Sequence, residues 1–469
     1  MSKCAFKAAL LGLCCVVGTT AGWCADDTAN FGIYGSNTIG AQLMPTLVEA
    51  YAASAGANIT RLAGGDPEQV ELKLTGQTGV PLALIDIRSH GSGTAVPALV
   101  SGKASIGMLS RPMSDKEAQA LLQTGLPDLR NPGYAHVLAM DGILVLVSPD
   151  NPMGTLSLDQ IAGIFAGTIR DWSAVGGAPG PIHIYARDDK SGTFDTFNTL
   201  VLKSRNLALS KDAKRFESSE ELSDEVARNP NGVGFVGFAY LRNAKALGIA
   251  TECGITSNPT TFNVKSEEYP LSRRLFLYTK PLAKGTIAAD VLDYALSIDA
   301  RSSILAAGYV DQEFELLDRN EHMLRLASSL VLNDPDVDIA MLKQLASDLK
   351  AHLRMSTTFR FALNSATLDN KSIADVQRLA RIVRFLVETG QRKTITLAGF
   401  TDSIGNFARN AVLSLARAEQ VKAAVLKAAG VAVPADMIAT RGYSKLLPTA
   451  CNSSEEGRHN NRRVESWLR

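Results

Sequence analysis

Ser, Thr, Gly and Arg recur in this sequence at spacings that could hold an anion. In residues 182–194, IHIYARDDKSGTF, Ile182, Ile184 and Ala186 alternate with His183, Tyr185 and Arg187. That is the period of two expected of a strand. Ser191, Gly192 and Thr193 then stand where a helix should start, ahead of Phe194, Phe197, Leu200 and Val201 at helical spacing. A helix start leaves backbone N–H groups without partners and carries partial positive charge. Two hydroxyls and Arg187 beside it make a site for an anion. An ordinary Ser cap beside a surface Arg is the plain alternative. Against it, the arrangement occurs three times. Residues 31–40, FGIYGSNTIG, and 84–94, LIDIRSHGSGT, each read as strand, hydroxyl-bearing turn and helix. In open α/β sheets such turns lie at the carboxyl ends of strands, where ligands bind. Three of them with Arg187 could surround a tetrahedral oxyanion with donors.

The elements that must position these turns follow from the rest of the chain. Its 469 residues are enough for about three domains. Residues 1–25 read as a secretory leader: Lys3 and Lys7 precede an apolar run, 8–17, that is too short to span a membrane. The residues before Cys24 do not form a lipobox. Lys and Arg number 48 against 47 Asp and Glu, and losing the leader removes two Lys and no acid. The balance lacks the basic excess of a nucleic-acid binder. Cys4, Cys14, Cys15 and Cys24 fall in the leader, which leaves Cys253 and Cys451 far apart and in different expected domains. The expectation is two separate buried thiols, with no disulfide. No His or Cys pair stands at metal-ligand spacing, so no metal and no cofactor is expected.

From residue 26 to 315, strand and helix patterns alternate, which predicts an α/β domain with a largely parallel sheet. The phrases GSNTIG (35–40), SHGSGT (89–94), ASIGMLSRPMSDKE (104–117), DGILVLVSPDNP (141–152), DQIAGIFAGTIRDWSAVGG (159–177), ARDDKSGTF (186–194), NGVGFVGFAYL (231–241) and YPLSRRLFLYT (269–279) run through it in order. This stretch resembles the periplasmic phosphate-binding proteins, the solute receptors of phosphate ABC transporters. The resemblance implies two lobes joined by a hinge, with crossings near Met140 and 259–264, and an anion in the cleft. It implies Thr38 from the first turn, Ser92 from the second, and Arg187, Ser191, Gly192 and Thr193 from the third as phosphate-binding residues. Some receptors of this kind have an Asp where this chain has Ser110, followed by Arg111. That Asp accepts the proton of hydrogen phosphate, and here Asp188, Asp189 or neither could replace it. Arg111 is either a second cationic contact or a rim salt bridge. His90 and Ser92 faintly suggest a hydrolase, but the nucleophile elbow is missing, and no enzyme activity is expected.

Residues 316–354 read as a helical connector, with Leu324, Leu326, Leu330 and Leu332, then Ile339, Leu342, Leu345 and Leu349, broken by Asn333-Asp334-Pro335. Residues 355–469 read as a small α+β domain with a mixed sheet. Its phrases LAGFTDSIGN (397–406), LSLARAEQVKAAVL (413–426) and GRHNNRRVE (457–465) resemble the OmpA-like peptidoglycan-binding domain. That resemblance implies that Asp402 grips the ammonium, and Arg417 the carboxylate, of diaminopimelate in the stem peptide, with Asn410 in the same pocket. A bidentate Arg–carboxylate pair orients as well as holds; a plain Asp402–Arg417 salt bridge is the alternative. Arg462 and Arg463 fall close by, the latter as a fold-stabilising residue.

The expected whole is a two-lobed periplasmic-binding-protein fold followed by a small OmpA-like domain. Its expected function is a periplasmic receptor for phosphate or a related oxyanion, held on the cell wall at the outer-membrane side, with an ABC transporter permease as a further partner. A wall-bound scaffold with an inactive cleft, or a phosphate sensor signalling to a partner, are the alternatives.

Overall fold

One strand, Ala135–Val147, belongs to both halves of the receptor-like region in the computed structural model. The structure describes residues 29–469 apart from 63–65, 67, 190, 318–320, 322–337 and 362–366. The expected leader and Leu324, Leu326, Leu330 and Leu332 lie outside the described residues. Along residues 135–142 the strand pairs antiparallel with Ser272–Thr279, and along 143–147 antiparallel with Gly232–Gly237, so the sheet expected to be largely parallel is mixed. It is buried along nearly its whole length, which is why 143–147 reads as an unbroken apolar run. The sheet therefore continues from one lobe into the other. The first lobe carries Ala29–Gly35, parallel to both Pro81–Arg88 and Ile106–Leu109. The second carries His183–Arg187, parallel to Gly232–Gly237 and Lys214–Phe216. The chain crosses between lobes at Met140–Ile143. It returns past the helix Thr261–Lys265 and re-enters the first lobe at Ser272, somewhat later than expected.

The C-terminal sheet has the order Leu353–Arg360, Arg463–Leu468, Ile395–Phe400, Ile438–Gly442. Both faces of Ile395–Phe400 are covered. Ile395 and Leu397 face the core formed with helices Asn370–Glu388 and Phe407–Ala429, while Ala398 and Phe400 pack with Leu345, Leu349, Tyr443 and Trp467. Within the stretch expected as a connector, the helix Ile339–Leu349 thus packs on the sheet, and Tyr443 Oη donates to Asp348 at 2.8 Å.

The two regions are docked through ion pairs, some of them buried. Arg354, fully buried, meets Glu268 and Glu465; Arg360 meets Glu267 at 2.9 Å; Arg274 meets Asp369 at 2.7 Å; Arg381 meets Glu313 at 2.7 Å. The expectation of two separate thiols is corrected here. Cys253 and Cys451 form a disulfide, with S–S 2.10 Å and Cα atoms 5.7 Å apart. The 198 residues between them suggested separation because the domains were taken as independent. Docking brings the loop after Ala250 against the turn after Thr449.

Acid should loosen this docking. Burial opposes ionisation of Glu267, but Arg274 and Arg360 outweigh it and hold its pKa far below the ordinary 4.5. Burial likewise raises, and Arg274 more than offsets, the pKa of Asp369, which ends below 3.8. Carboxyls depressed by folding stabilise fully above their unfolded pKa and lose that contribution as pH falls below it. Protection factors across the strand Leu353–Arg360, taken against the intrinsic exchange rate at each pH, should therefore be unchanged from pH 7 to about 5 and fall below about 4. Protection that falls on raising the pH would contradict this.

Candidate functional site

The three hydroxyl-bearing turns meet at one cleft between the lobes, a cavity of ≈ 800 Å³. Each is placed by the strand before it. Ala29–Gly35 delivers Ser36 and Thr38, Pro81–Arg88 delivers Ser92, and His183–Arg187 delivers Ser191 and Gly192. Thr38, Ser92, Ser191 and Gly192 all line the cavity. Ser191 caps its helix, accepting from Phe194 N at 3.3 Å. Ser92 Oγ lies 3.2 Å from Ser110 Oγ and accepts from Ser110 N at 3.1 Å.

The lobes touch at Thr38 and Gly192. A Cβ on Gly192 would fall inside van der Waals contact of Thr38 Oγ1 and 3.1 Å from Thr38 N. Gly192→Ala should therefore push the lobes apart and weaken anion binding by about tenfold or more, with the fold intact, as read by calorimetry with phosphate. An unchanged affinity would mean that the turns need not approach so closely.

Arg187 and Thr193 do not reach the cavity lining. Arg187 Nε donates to Phe216 O at 3.3 Å, Nη1 donates to Ser219 Oγ, and Nη2 lies 3.4 Å from Asp188. The cation at the lobe junction is instead Arg273, which the sequence reading missed. Its Nη2 donates to Thr38 Oγ1 at 2.9 Å, Gly192 O at 3.2 Å and Asp141 Oδ2 at 3.0 Å, while Nε donates to the same carboxylate at 3.1 Å. Its Nη1 has no partner among the described residues, and the residue lines the cavity. Burial raises the pKa of Asp141, with the charge of Arg273 opposing. A signal was present: Arg273 follows Tyr269-Pro270 and Ser272 at the strand that re-enters the first lobe, beside the predicted crossing.

Arg111 lines the cavity but makes two 2.8 Å bonds to Glu117, whose pKa is lowered to about 2; burial opposes that shift and Arg111 drives it. Asp189 lines the cavity with its carboxylate held by Arg215 at 2.7 Å. His90 bonds Glu68 at 3.0 Å rather than Ser92.

In the C-terminal domain the structure brings Asp402, Asn410 and Arg417 to one pocket at the end of the strand Ile395–Phe400. Asp402 Oδ1 accepts from Ile404 N at 3.0 Å, and Asn410 Nδ2 donates to Ile404 O at 3.0 Å. Asp402 pairs with Arg462 at 2.8 Å rather than with Arg417. Arg462 also reaches Glu455 at 2.7 Å. Arg417 is 2% exposed, lies over the Phe361 ring at 5.1 Å, and leaves Nε and Nη1 without a hydrogen-bond partner among the described residues. Burial, then the nearby Arg462 charge, lowers its pKa, with Asp402 opposing. A buried guanidinium with empty donors is suited to a carboxylate that arrives from outside. Arg463 pairs with Glu465 and donates to Leu447 O at 2.6 Å, inside the fold.

Comparison with known proteins places both regions. The model of the PBP superfamily domain matches residues 52–299, more than half the chain. The chain belongs to that superfamily. The OmpA family model matches residues 360–462, so this PBP-superfamily chain carries a C-terminal OmpA domain. It is 30% identical over 234 residues to the phosphate-binding protein PstS of Bacillus subtilis, covering 49% of this chain and 72% of that protein. It is 29% identical over 252 residues to the PstS of Pseudomonas aeruginosa, covering 49% and 75%. A solved ABC-type phosphate transport receptor from Vibrio cholerae is 24% identical, covering 60% of this chain and 99% of that one, with a TM-score of 0.45.

Proposed function

We propose that this chain is a periplasmic receptor that binds phosphate, or a close tetrahedral oxyanion, between its lobes. Its OmpA domain holds it non-covalently on peptidoglycan. The observation that carries the first half is the convergence of Thr38, Ser92, Ser191 and Gly192 on one cleft with the Arg273 guanidinium at their junction. Hydroxyls and helix-start N–H groups supply neutral donors, and Arg273 supplies the charge. The relation to the phosphate-binding PstS proteins supports phosphate as the anion; delivery to an ABC transporter permease is part of the same proposal. For the second half, Arg417 takes the carboxylate of diaminopimelate and Asp402 its ammonium, the latter exchanging Arg462 for the ligand. No chemical step is involved.

Calorimetry on the full ligand-free chain, titrated with phosphate and then sulfate, tests the first half. Micromolar or tighter phosphate binding, about −8 kcal/mol or better, is expected. No heat from either anion refutes it. Retention on purified peptidoglycan, competed by free diaminopimelate, tests the second.

A further inference from the structure

An anchor needs only to hold the wall, but the OmpA domain also grips both lobes of the receptor. On the lobe of Thr38 and Ser92, Arg274 meets Asp369 at 2.7 Å, and Asn370 Nδ2 donates to Arg130 O at 2.9 Å. On the lobe of Ser191 and Gly192, Cys253 is bonded to Cys451, and Ser453 Oγ donates to Glu252. Between these grips runs the helix Glu455–Asn461, whose Glu456, His459 and Asn460 stand at the cavity wall together with Arg360.

We propose that the OmpA domain is a strap across the anion cleft: it forms one wall of the cavity and, by holding both lobes, controls how fast they part and exchange ligand. The nature of the ligand rests on the receptor reading; the strap rests on the contacts alone. Parting the lobes means rotation about the crossings at Met140–Ile143 and before Ser272. The Cys253–Cys451 bond lets the second lobe move away from the domain very little. On the other side, Arg274 and Asp369 are both mostly shielded from water, at 18% and 34% side-chain exposure. Separating them exposes two charges that each lose a partner. The lobes therefore open only when one of the two grips yields.

The test reads hydrogen exchange in the ligand-free full chain at Asn37–Gly40 and Gly192–Phe197, the two turns that face each other across the lobe contact. Three proteins are compared: the native chain, Cys451→Ser and Asp369→Asn. The Asn variant keeps the helix cap that Asp369 now provides to Ser372 N. Exchange at both turns is expected to rise by about tenfold or more in each variant, while Ile395–Phe400 stays protected. Phosphate dissociation, followed by stopped flow, should quicken by a similar factor. Unchanged exchange at both turns in Asp369→Asn and in Cys451→Ser overturns the strap. If Cys451→Ser also deprotects Ile395–Phe400, the Asp369→Asn result decides. Exchange is read without ligand, so failure of phosphate to bind the native chain removes the receptor reading and leaves this test standing.

Discussion

Arg417→Met is expected to make the ligand-free protein more stable and to abolish its retention on peptidoglycan. Arg417 is buried with Nε and Nη1 unpaired among the described residues, and its pKa is already lowered by burial and by Arg462. Burying donors without partners costs free energy, and an apolar side chain of similar length avoids that cost. The gain should be about 1 kcal/mol in denaturant unfolding. In return the pocket loses its fork for a carboxylate. Removing one partner of a shielded charge pair typically costs about 2–5 kcal/mol, so diaminopimelate affinity should fall by about 30-fold or more. Arg417→Lys keeps the charge without the fork and should fall between. A variant less stable than the native chain, with wall retention intact, would show that Arg417 is a structural residue.

Arg273→Gln is expected to cost both phosphate binding and stability, separably. The guanidinium joins Thr38, Gly192 and Asp141, and the residue lines the cavity. Its loss should weaken phosphate binding by about 100-fold or more. It also strands Asp141, which is 5% exposed, at a cost of about 3–5 kcal/mol. Burial already raises the Asp141 pKa above its ordinary 3.8, and losing Arg273 raises it further. A carboxyl whose folded pKa lies above its unfolded value takes up a proton on folding, so the variant should lose stability as pH rises above about 4. Adding Asp141→Asn should restore stability and remove that pH dependence without restoring phosphate binding. Arg187→Gln, by contrast, should change affinity by less than about tenfold, since Arg187 is tied to Phe216 and Ser219 outside the cavity lining. The reverse order of effects would return the anion charge to Arg187.

Local pattern made most elements legible. The strand expected over 182–187 is His183–Arg187, with Ser191 as the cap of the next helix. The small mixed sheet expected within 355–469 is present, with helices Asn370–Glu388 and Phe407–Ala429 packed on it. Period and capping are local, so sequence carries them. What it did not carry is which side chain reaches which cavity. Arg187 has the right neighbours in sequence, yet Ser219 lies within its reach and takes the guanidinium. Arg273 is distant in sequence from every turn it contacts. Cys253–Cys451 and the Arg354–Glu268 pair depend on how two domains dock, and no periodicity within either domain encodes that. Asp402 and Arg417 were legible as a set from their phrase, but the Arg462 partner of Asp402 depends on the fold of the turn before Arg463–Leu468.

The strand Ser272–Thr279 stands between Ile106–Leu109 and Ala135–Val147 in the sheet of the first lobe. All of the second lobe lies between it and its neighbours along the chain. That interruption sets an order of assembly. The second lobe is one continuous stretch and can gather its own strands by comparatively local closures. The first lobe has a gap in the middle of its sheet until residues 272–279 arrive, and the entropy of closing so long a loop must be met before that pairing rewards it. During that interval Ile106–Leu109 and the first half of Ala135–Val147 present unpaired edges, the condition under which chains pair with one another. The nascent chain is thus most in need of a chaperone after the second lobe has formed and before Ser272–Thr279 slots home.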